Sequence, residues 1–181
     1  TQNAIELYEN SMIHNPNQFL REVEGLDLHD VDNHNQNCIA GICRCCFRMG
    51  DTEKGLNKAK EITDKNLLIE VASLCEQLSY GLESAKLYTQ VGLYEKAAMI
   101  YIKLKFFKSA EDLMDKIKSP KLLIQLAKMK EIEKLYADAE RAYESANDWE
   151  NVIKMNIKYL DNPVKARDIL LKKCPTENAA L

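Results

Sequence analysis

Residues 85–101 read Ala85-Lys86-Leu87-Tyr88-Thr89-Gln90-Val91-Gly92-Leu93-Tyr94-Glu95-Lys96-Ala97-Ala98-Met99-Ile100-Tyr101. The stretch is two helices with a glycine between them. Gly92 stands where one helix stops. Leu93, Ala97, Ile100, Tyr101 and then Leu104 fall at i, i+4, i+7, i+8 and i+11, one face of the next. Small residues and tyrosines also recur at set distances: from Ala85, Tyr88, Ala97 and Tyr101 follow at 3, 12 and 16 positions. The same steps return 42 residues later in Ala127, Lys130, Ala139 and Tyr143, and 42 residues earlier in Cys43, Cys46, Gly55 and Ala59. Those offsets belong to the tetratricopeptide pattern, in which small side chains let two helices cross closely and aromatics fill the gap beside the crossing. The period exceeds the usual value of about 34, and segment 105–119 supplies one helix more than simple pairing uses. The repeat is therefore read as a degenerate, tetratricopeptide-like one, with Ala85, Tyr88, Ala97, Tyr101, Ala127, Ala139, Tyr143 and Trp149 as its packing residues.

Helical spacing extends outward from this core to nearly the whole chain, and no stretch alternates with the period of two that marks a half-buried strand. Expected helices span 3–14, 17–30, 36–49, 52–63, 66–79, 82–91, 93–104, 106–117, 120–146 (broken near Glu133) and 149–172 (broken near Asn162). The polar run 31–36 is expected to be a loop. Ser119-Pro120 and Asn162-Pro163 each place a capping side chain before a proline at the first helical position, where the missing N–H costs nothing. Asp148 is placed to cap the helix opened by Trp149, and Gly50, Gly81 and Gly92 stand at helix junctions. The fold class that follows is all-α: a tetratricopeptide-like α-solenoid of antiparallel helix pairs, with residues 1–181 as one repeat region.

Composition agrees with that class. The 181 residues are 46% apolar and 29% charged, a globular balance. Only 6 Gly and 4 Pro occur, few for the many turns of an all-β sandwich. No apolar run approaches the about 18 residues a membrane-spanning helix needs. The chain begins at Thr1 without a charged-then-apolar leader, so no secretory signal is expected and the sequence reads as a cut from something longer.

A net charge of -3 argues against general nucleic-acid binding, but the charge is unevenly placed. Residues 1–37 carry seven acidic side chains and one base, Arg21, whereas residues 95–134 carry ten lysines against six acids. A basic stripe suits an acidic protein face, anionic lipid or RNA. Apart from Phe106 and Phe107 it lacks the aromatic interleaving of a single-strand binding groove. Two adjacent aromatics cannot both face one helix's core, so Phe106 and Phe107, flanked by Lys103, Lys105 and Lys108, are the candidate partner contacts.

Chemistry is sparse. No phosphate-binding glycine loop, H-E-x-x-H or G-x-S-x-G motif occurs. Cys43 and Cys46 have zinc-ligand spacing, but no second pair answers them, and the repeat assigns them a packing role. Asp27, His29, Asp30, Asp32 and His34 cluster within eight residues. As a calcium loop from Asp30 they fail, because Asn35 replaces the turn glycine and Gly41 the bidentate glutamate. Without a leader the six cysteines, Cys174 included, read as reduced thiols. No catalytic, cofactor or metal site is expected, and the chain is not expected to be an enzyme.

The run Gly92-Leu93-Tyr94-Glu95-Lys96-Ala97-Ala98 with Tyr101-Ile102, the segment Ser119-Pro120-Lys121 leading to Ala127-Lys128, then Ala142-Tyr143-Glu144-Ser145-Ala146 with Trp149, and Asn162-Pro163-Val164-Lys165-Ala166 together resemble one known region. It is the tetratricopeptide-like region of the WD repeat-containing protein nineteen family, subunits of intraflagellar transport complex A. The likeness covers most of 36–173 and is strongest in 85–166; residues 1–35 match weakly, and 174–181 form a tail. One departure stands out, since the family places glycine two before the repeat tyrosine and this chain has Lys134 before Tyr136. The resemblance implies a non-catalytic scaffold serving retrograde ciliary transport, entry of membrane-protein cargo and cilium assembly. The implied partners are other complex A subunits, with cargo, its adaptors and complex B as further candidates, and the implied locations are the cilium (basal body and axoneme) and cytoplasm. The alternative is a vesicle-coat-like solenoid in membrane trafficking, since coats share the propeller-plus-solenoid plan.

Overall fold

The computed structural model describes residues 2–173, so Cys174 and the expected tail lie outside the described residues. Among them all regular structure is helical. In chain order it comprises α1 (Gln2–Ser11), α2 (Pro16–Glu22), α3 (Leu28–Met49), α4 (Thr52–Ala59), α5 (Lys65–Gln77), α6 (Gly81–Val91), α7 (Tyr94–Lys103), α8 (Phe107–Glu111), α9 (Pro120–Ile132), α10 (Tyr136–Ser145), α11 (Trp149–Lys158) and α12 (Pro163–Lys173), with a 3-10 turn, Met114–Lys116, after α8. The chain divides into two compact units, Thr1–Leu93 and Tyr94–Leu181. In the first, α1, α2, α4 and α5 pack on α3, and α6 packs on α4 and α5; in the second, α7, α8 and α9 form one group and α9 to α12 pack in sequence.

Helices end in one recurring turn. Gly50, Ser79, Gly92, Lys105, Lys134 and Asn147 all adopt left-handed backbone, with φ between 58 and 88°. The next residue's N–H then closes back on a carbonyl five positions earlier: Asp51 on Cys46, Tyr80 on Cys75, Leu93 on Tyr88, Phe106 on Tyr101, Leu135 on Lys130 and Asp148 on Tyr143, at 2.8–3.0 Å. This is the Schellman closure, which satisfies carbonyls that a helix end would otherwise leave bare. Gly50, Gly92 and Lys134 are 42 residues apart, so the sequence period is a period of turns. At 134 a lysine holds the conformation glycine adopts freely, φ 61°. Lys134→Gly is therefore expected to stabilise the chain by about 0.5 kcal/mol, the relief of the left-handed penalty exceeding the extra entropy of glycine in the unfolded chain. Thermal unfolding of Lys134→Gly beside Lys134→Val checks the sign, because the β-branched variant is expected to melt below the parent.

The offsets 3, 12 and 16 describe how paired helices cross. Cys43, Cys46, Gly55 and Ala59 are buried between α3 and α4, and Ala127, Lys130, Ala139 and Tyr143 between α9 and α10. Two further sets with the same spacing lie between α5 and α6 (Ala72, Cys75, Ser84, Tyr88) and between α10 and α11 (Glu140, Tyr143, Val152, Asn156), all buried. Ala85 and Tyr88 are buried in the first unit, Ala97 and Tyr101 in the second. Close approach is literal: a Cβ on Gly55 would sit 2.9–3.1 Å from the Phe47 ring, and one on Gly41 2.5–2.7 Å from the Tyr8 ring, where α1 lies on α3. Two of the pairs carry the same polar tie. Tyr88 donates to Glu76 at 2.8 Å and Tyr143 to Glu131 at 3.2 Å, each tyrosine twelve residues after its glutamate.

Several expected boundaries move. Residues 31–36 are helical, not a loop, because Asp27 and Asp30 form a capping box that starts α3 at Leu28. The polar side chains there are spent on neighbours: Asn35 bonds both N–H and C=O of Ile13, and Gln36, buried, bonds the Glu61 carbonyl and the Thr63 N–H. The expected helix 17–30 stops at Glu22, with Gly25 at φ 85° in the turn that follows. Segment 105–119 shrinks to five residues of α8 and a 3-10 turn. Gly81 opens α6, and Ser79 makes the left-handed turn instead. Ser119 precedes Pro120 without a side-chain cap, whereas Asn162 and Asp148 accept the backbone N–H of Lys165 and Asn151. Leu93 and Leu104, expected on one face of a helix 93–104, are exposed, and α7 spans only Tyr94–Lys103, which leaves both outside it.

Candidate partner-binding site

The α7–α8 and α9–α10 turns of the second unit come together. An open groove of about 550 Å³ is lined by Lys105, Phe106, Phe107 and Lys108 on one side and Glu133, Leu135 and Asp138 on the other, with Ser109, Glu111 and Lys130 completing it. The turn geometry places its apolar groups. Phe106 and Leu135 are the residues just after the left-handed Lys105 and Lys134, with nearly identical backbone (φ -85°, ψ 64° and φ -86°, ψ 65°). A residue at that position closes the turn with its N–H and leaves its side chain outside the crossing, so Phe106 stays 45% and Leu135 43% exposed. Phe107, one step on, is half-buried. Lys103, in the last turn of α7, is exposed and lies outside the groove lining.

Electrostatics divide the charges into those spent internally and those left for solvent. Lys130, only 5% exposed, donates to Glu111 of α8 at 2.7 Å. Arg141 pairs with Asp138 at 2.5 Å and reaches Glu111 at 3.6 Å, which raises its guanidinium's affinity for its proton, first through the hydrogen bond to Asp138. Glu131 accepts from Tyr143 and Lys154, and Lys165 bridges Glu140 and Glu144 at 2.8 and 2.9 Å. The hydrogen bonds to Glu140 and then Glu144 raise the Lys165 ammonium's pKa. Lys103, Lys105 and Lys108, by contrast, make no ion pair among the described residues.

The other sequence-flagged groups are placed in packing or caps. Burial pushes the thiols of Cys43 and Cys75 up to about 12, and raises those of Cys38 and Cys46, which keeps them protonated and weak as nucleophiles or ligands. Cys38, Cys43, Cys45, Cys46 and Cys75 are free thiols. Asp27 and Asp30 cap α3, His29 bonds Asn33, and His34 Nε2 lies 2.8 Å from the Ser11 carbonyl. Among the described residues no group of three or more His, Cys, Asp and Glu side chains is placed to hold a metal ion. Trp149 is half-buried against the core of the second unit, with the Lys173 ammonium 5.1 Å from its ring centre.

No family model matches the sequence. WD repeat-containing protein 19 of Homo sapiens is 36% identical over 141 residues, 78% of this chain, and the Mus musculus protein of the same name 34% over the same share. WD repeat-containing protein dyf-2 of Caenorhabditis elegans is 31% identical over 180 residues, 99% of the chain. Over this stretch the chain belongs to the WD repeat-containing protein 19 family. It spans 10% of the length of the two mammalian relatives and 12% of dyf-2. Among solved structures, MamA of Desulfovibrio magneticus RS-1 aligns with 76% of this chain and 92% of its own at 15% identity and TM-score 0.38. A tetratricopeptide repeat protein from Parabacteroides merdae aligns with 97% and 82% at 17% identity and TM-score 0.35.

In this member of the WD repeat-containing protein 19 family, sequence reasoning named one side of the groove and missed the other. Leu135 and Glu133 escaped notice, although Leu135 follows Lys134 as Phe106 follows Lys105, and that register was legible.

Proposed function

We propose that this stretch is a non-catalytic scaffold segment of an intraflagellar transport complex A subunit. It assembles with other subunits of that particle for retrograde ciliary transport, for ciliary entry of membrane-protein cargo and for cilium assembly, and it works in the cilium, at basal body and axoneme, and in the cytoplasm. The observation that carries the reading is 31–36% identity to WD repeat-containing protein 19 and dyf-2 over 78–99% of the chain. The geometry supports it: packed helix pairs fill the interior of each unit and leave exposed edges of turns, where Phe106 and Leu135 line an open groove beside lysines that make no ion pair among the described residues. No described helix is long and apolar enough to cross a membrane.

The test is co-purification of complex A subunits with the full-length protein bearing Phe106→Ala, Phe107→Ala and Leu135→Ala together. Loss of a buried aromatic anchor is expected to weaken capture by about ten-fold or more, with the helical circular-dichroism signal unchanged. Capture at parental strength from this variant removes the groove from the docking account. Absence of complex A subunits from the parental protein's eluate removes the scaffold reading itself.

A further inference from the structure

We infer that the edge made by the α7–α8 and α9–α10 turns receives an acidic amphipathic segment of a partner protein. Apolar side chains of that segment enter between Phe106 and Leu135, and its carboxylates meet Lys103, Lys105, Lys108 and Lys134. The inference rests on the scaffold reading above and adds the chemistry of what is held.

Three observations converge on that chemistry. The first is the apolar surface: Phe106, Leu135 and Ile132 (73% exposed) cluster around two neighbouring turns, and the stacked pair Tyr136 and Tyr159, centroids 4.1 Å apart, brings the end of α11 alongside. The second is the direction of the free charge. Lys130 and Arg141 are tied to Glu111 and Asp138, so the cations still open to a partner here are the four lysines, none in an ion pair among the described residues. The third is placement. Lys105 and Lys134 hold φ 64° and 61° at the turn position that Gly50, Ser79, Gly92 and Asn147 occupy elsewhere, and both side chains are exposed, so each of the two neighbouring turns carries a lysine directly before its apolar residue, Phe106 or Leu135.

The groove also argues for a protein segment over a lipid or nucleic-acid surface. Glu133 and Asp138 line it, so a continuous anionic sheet or phosphate backbone laid across the lysines would press against carboxylates. A side-chain-bearing segment places its acids over Lys103, Lys105 and Lys108 and its apolar residues over Phe106 and Leu135.

The experiment is photo-crosslinking in cells. Benzoylphenylalanine replaces Phe106 or Leu135, one at a time, in the full-length protein, with Asn147, on the turn at the other end of α10, as the control position. Adducts are isolated under denaturing conditions and sequenced, while native co-purification is run in parallel on the same variants. The expected result is a protein adduct from both edge positions and not from Asn147, mapping to a segment with more Asp and Glu than Lys and Arg around apolar residues. Adduct yield is expected to fall at least ten-fold when Lys103, Lys105 and Lys108 become Glu and to persist when they become Arg. Adducts to lipid, to nucleic acid or to a basic segment overturn the inference, as does the absence of an edge adduct. Complex A subunits in the native eluate without an edge adduct leave the scaffold reading standing and sink the acidic-segment inference. An acidic adduct without those subunits does the reverse.

Discussion

Tyr143→Ala is expected to lower stability by about 4 kcal/mol, a fall in melting temperature of roughly 8–16 °C for a chain of this size. Tyr143 is fully buried at the centre of the second unit, among Ala127, Ala139, Ala142, Val152 and Met155. It belongs to two crossings at once, closing the α9–α10 pair and opening the α10–α11 pair, so truncation leaves one cavity that both pairs line. The hydroxyl contributes separately. Tyr143→Phe keeps the packing and loses the bond to Glu131, for which about 1 kcal/mol is expected, softened because Glu131 retains Lys154 at 3.2 Å. Burial, more than the neighbouring Glu131 charge, holds the phenol protonated and raises its pKa, so this tie is not lost in mildly alkaline buffer. Urea titrations of the two variants separate cavity from hydrogen bond.

Glu111→Ala is expected to cost about 3 kcal/mol, although Glu111 belongs to a helix of only five residues. Its loss strands the Lys130 ammonium, which α9 carries inward at the crossing position where the other pairs place Cys46, Cys75 or Tyr143. The diagnostic is non-additivity. Adding Lys130→Met to Glu111→Ala removes the orphaned charge and puts an apolar chain of similar length in its place, so the double variant is expected to be more stable than Glu111→Ala alone. A double variant less stable than the single one contradicts the buried-pair account.

These two residues also mark where reading the sequence stops being enough. The crossing offsets were legible because they are a local property: a small residue recurring at 3, 12 and 16 places needs no knowledge of the partner helix. The breaks at Glu133 and Asn162 and the caps at Asp148 and Asn162 were legible for the same reason. Polar residues misled. The run Asp32 to Gln36 looks like a loop by composition, but its side chains hold two connecting segments against the helix that contains them, and those partners are 22–27 residues away. Nothing in the sequence singles out Glu111, Glu131 and Glu140, yet each satisfies a lysine or tyrosine from another helix. The groove was half legible. Phe106 is conspicuous beside Phe107, whereas Leu135 becomes conspicuous only once the two turns are seen to share one conformation and to lie side by side.

The account stands on helix pairs that cross through small side chains at fixed register, because that crossing sets which turns sit together and which side chains they expose. Thermal unfolding of Ala139→Leu beside Ala137→Leu tests it most directly. The two positions are on the same helix two residues apart, and Ala139 is buried at the α9–α10 crossing while Ala137 is exposed. Ala139→Leu is expected to cost about 2–3 kcal/mol by overpacking and to melt several degrees below the parent, with Ala137→Leu within about 1–2 °C of it. Equal melting temperatures for the two variants, or a greater loss at Ala137, would contradict the crossing and with it the placement of the docking edge.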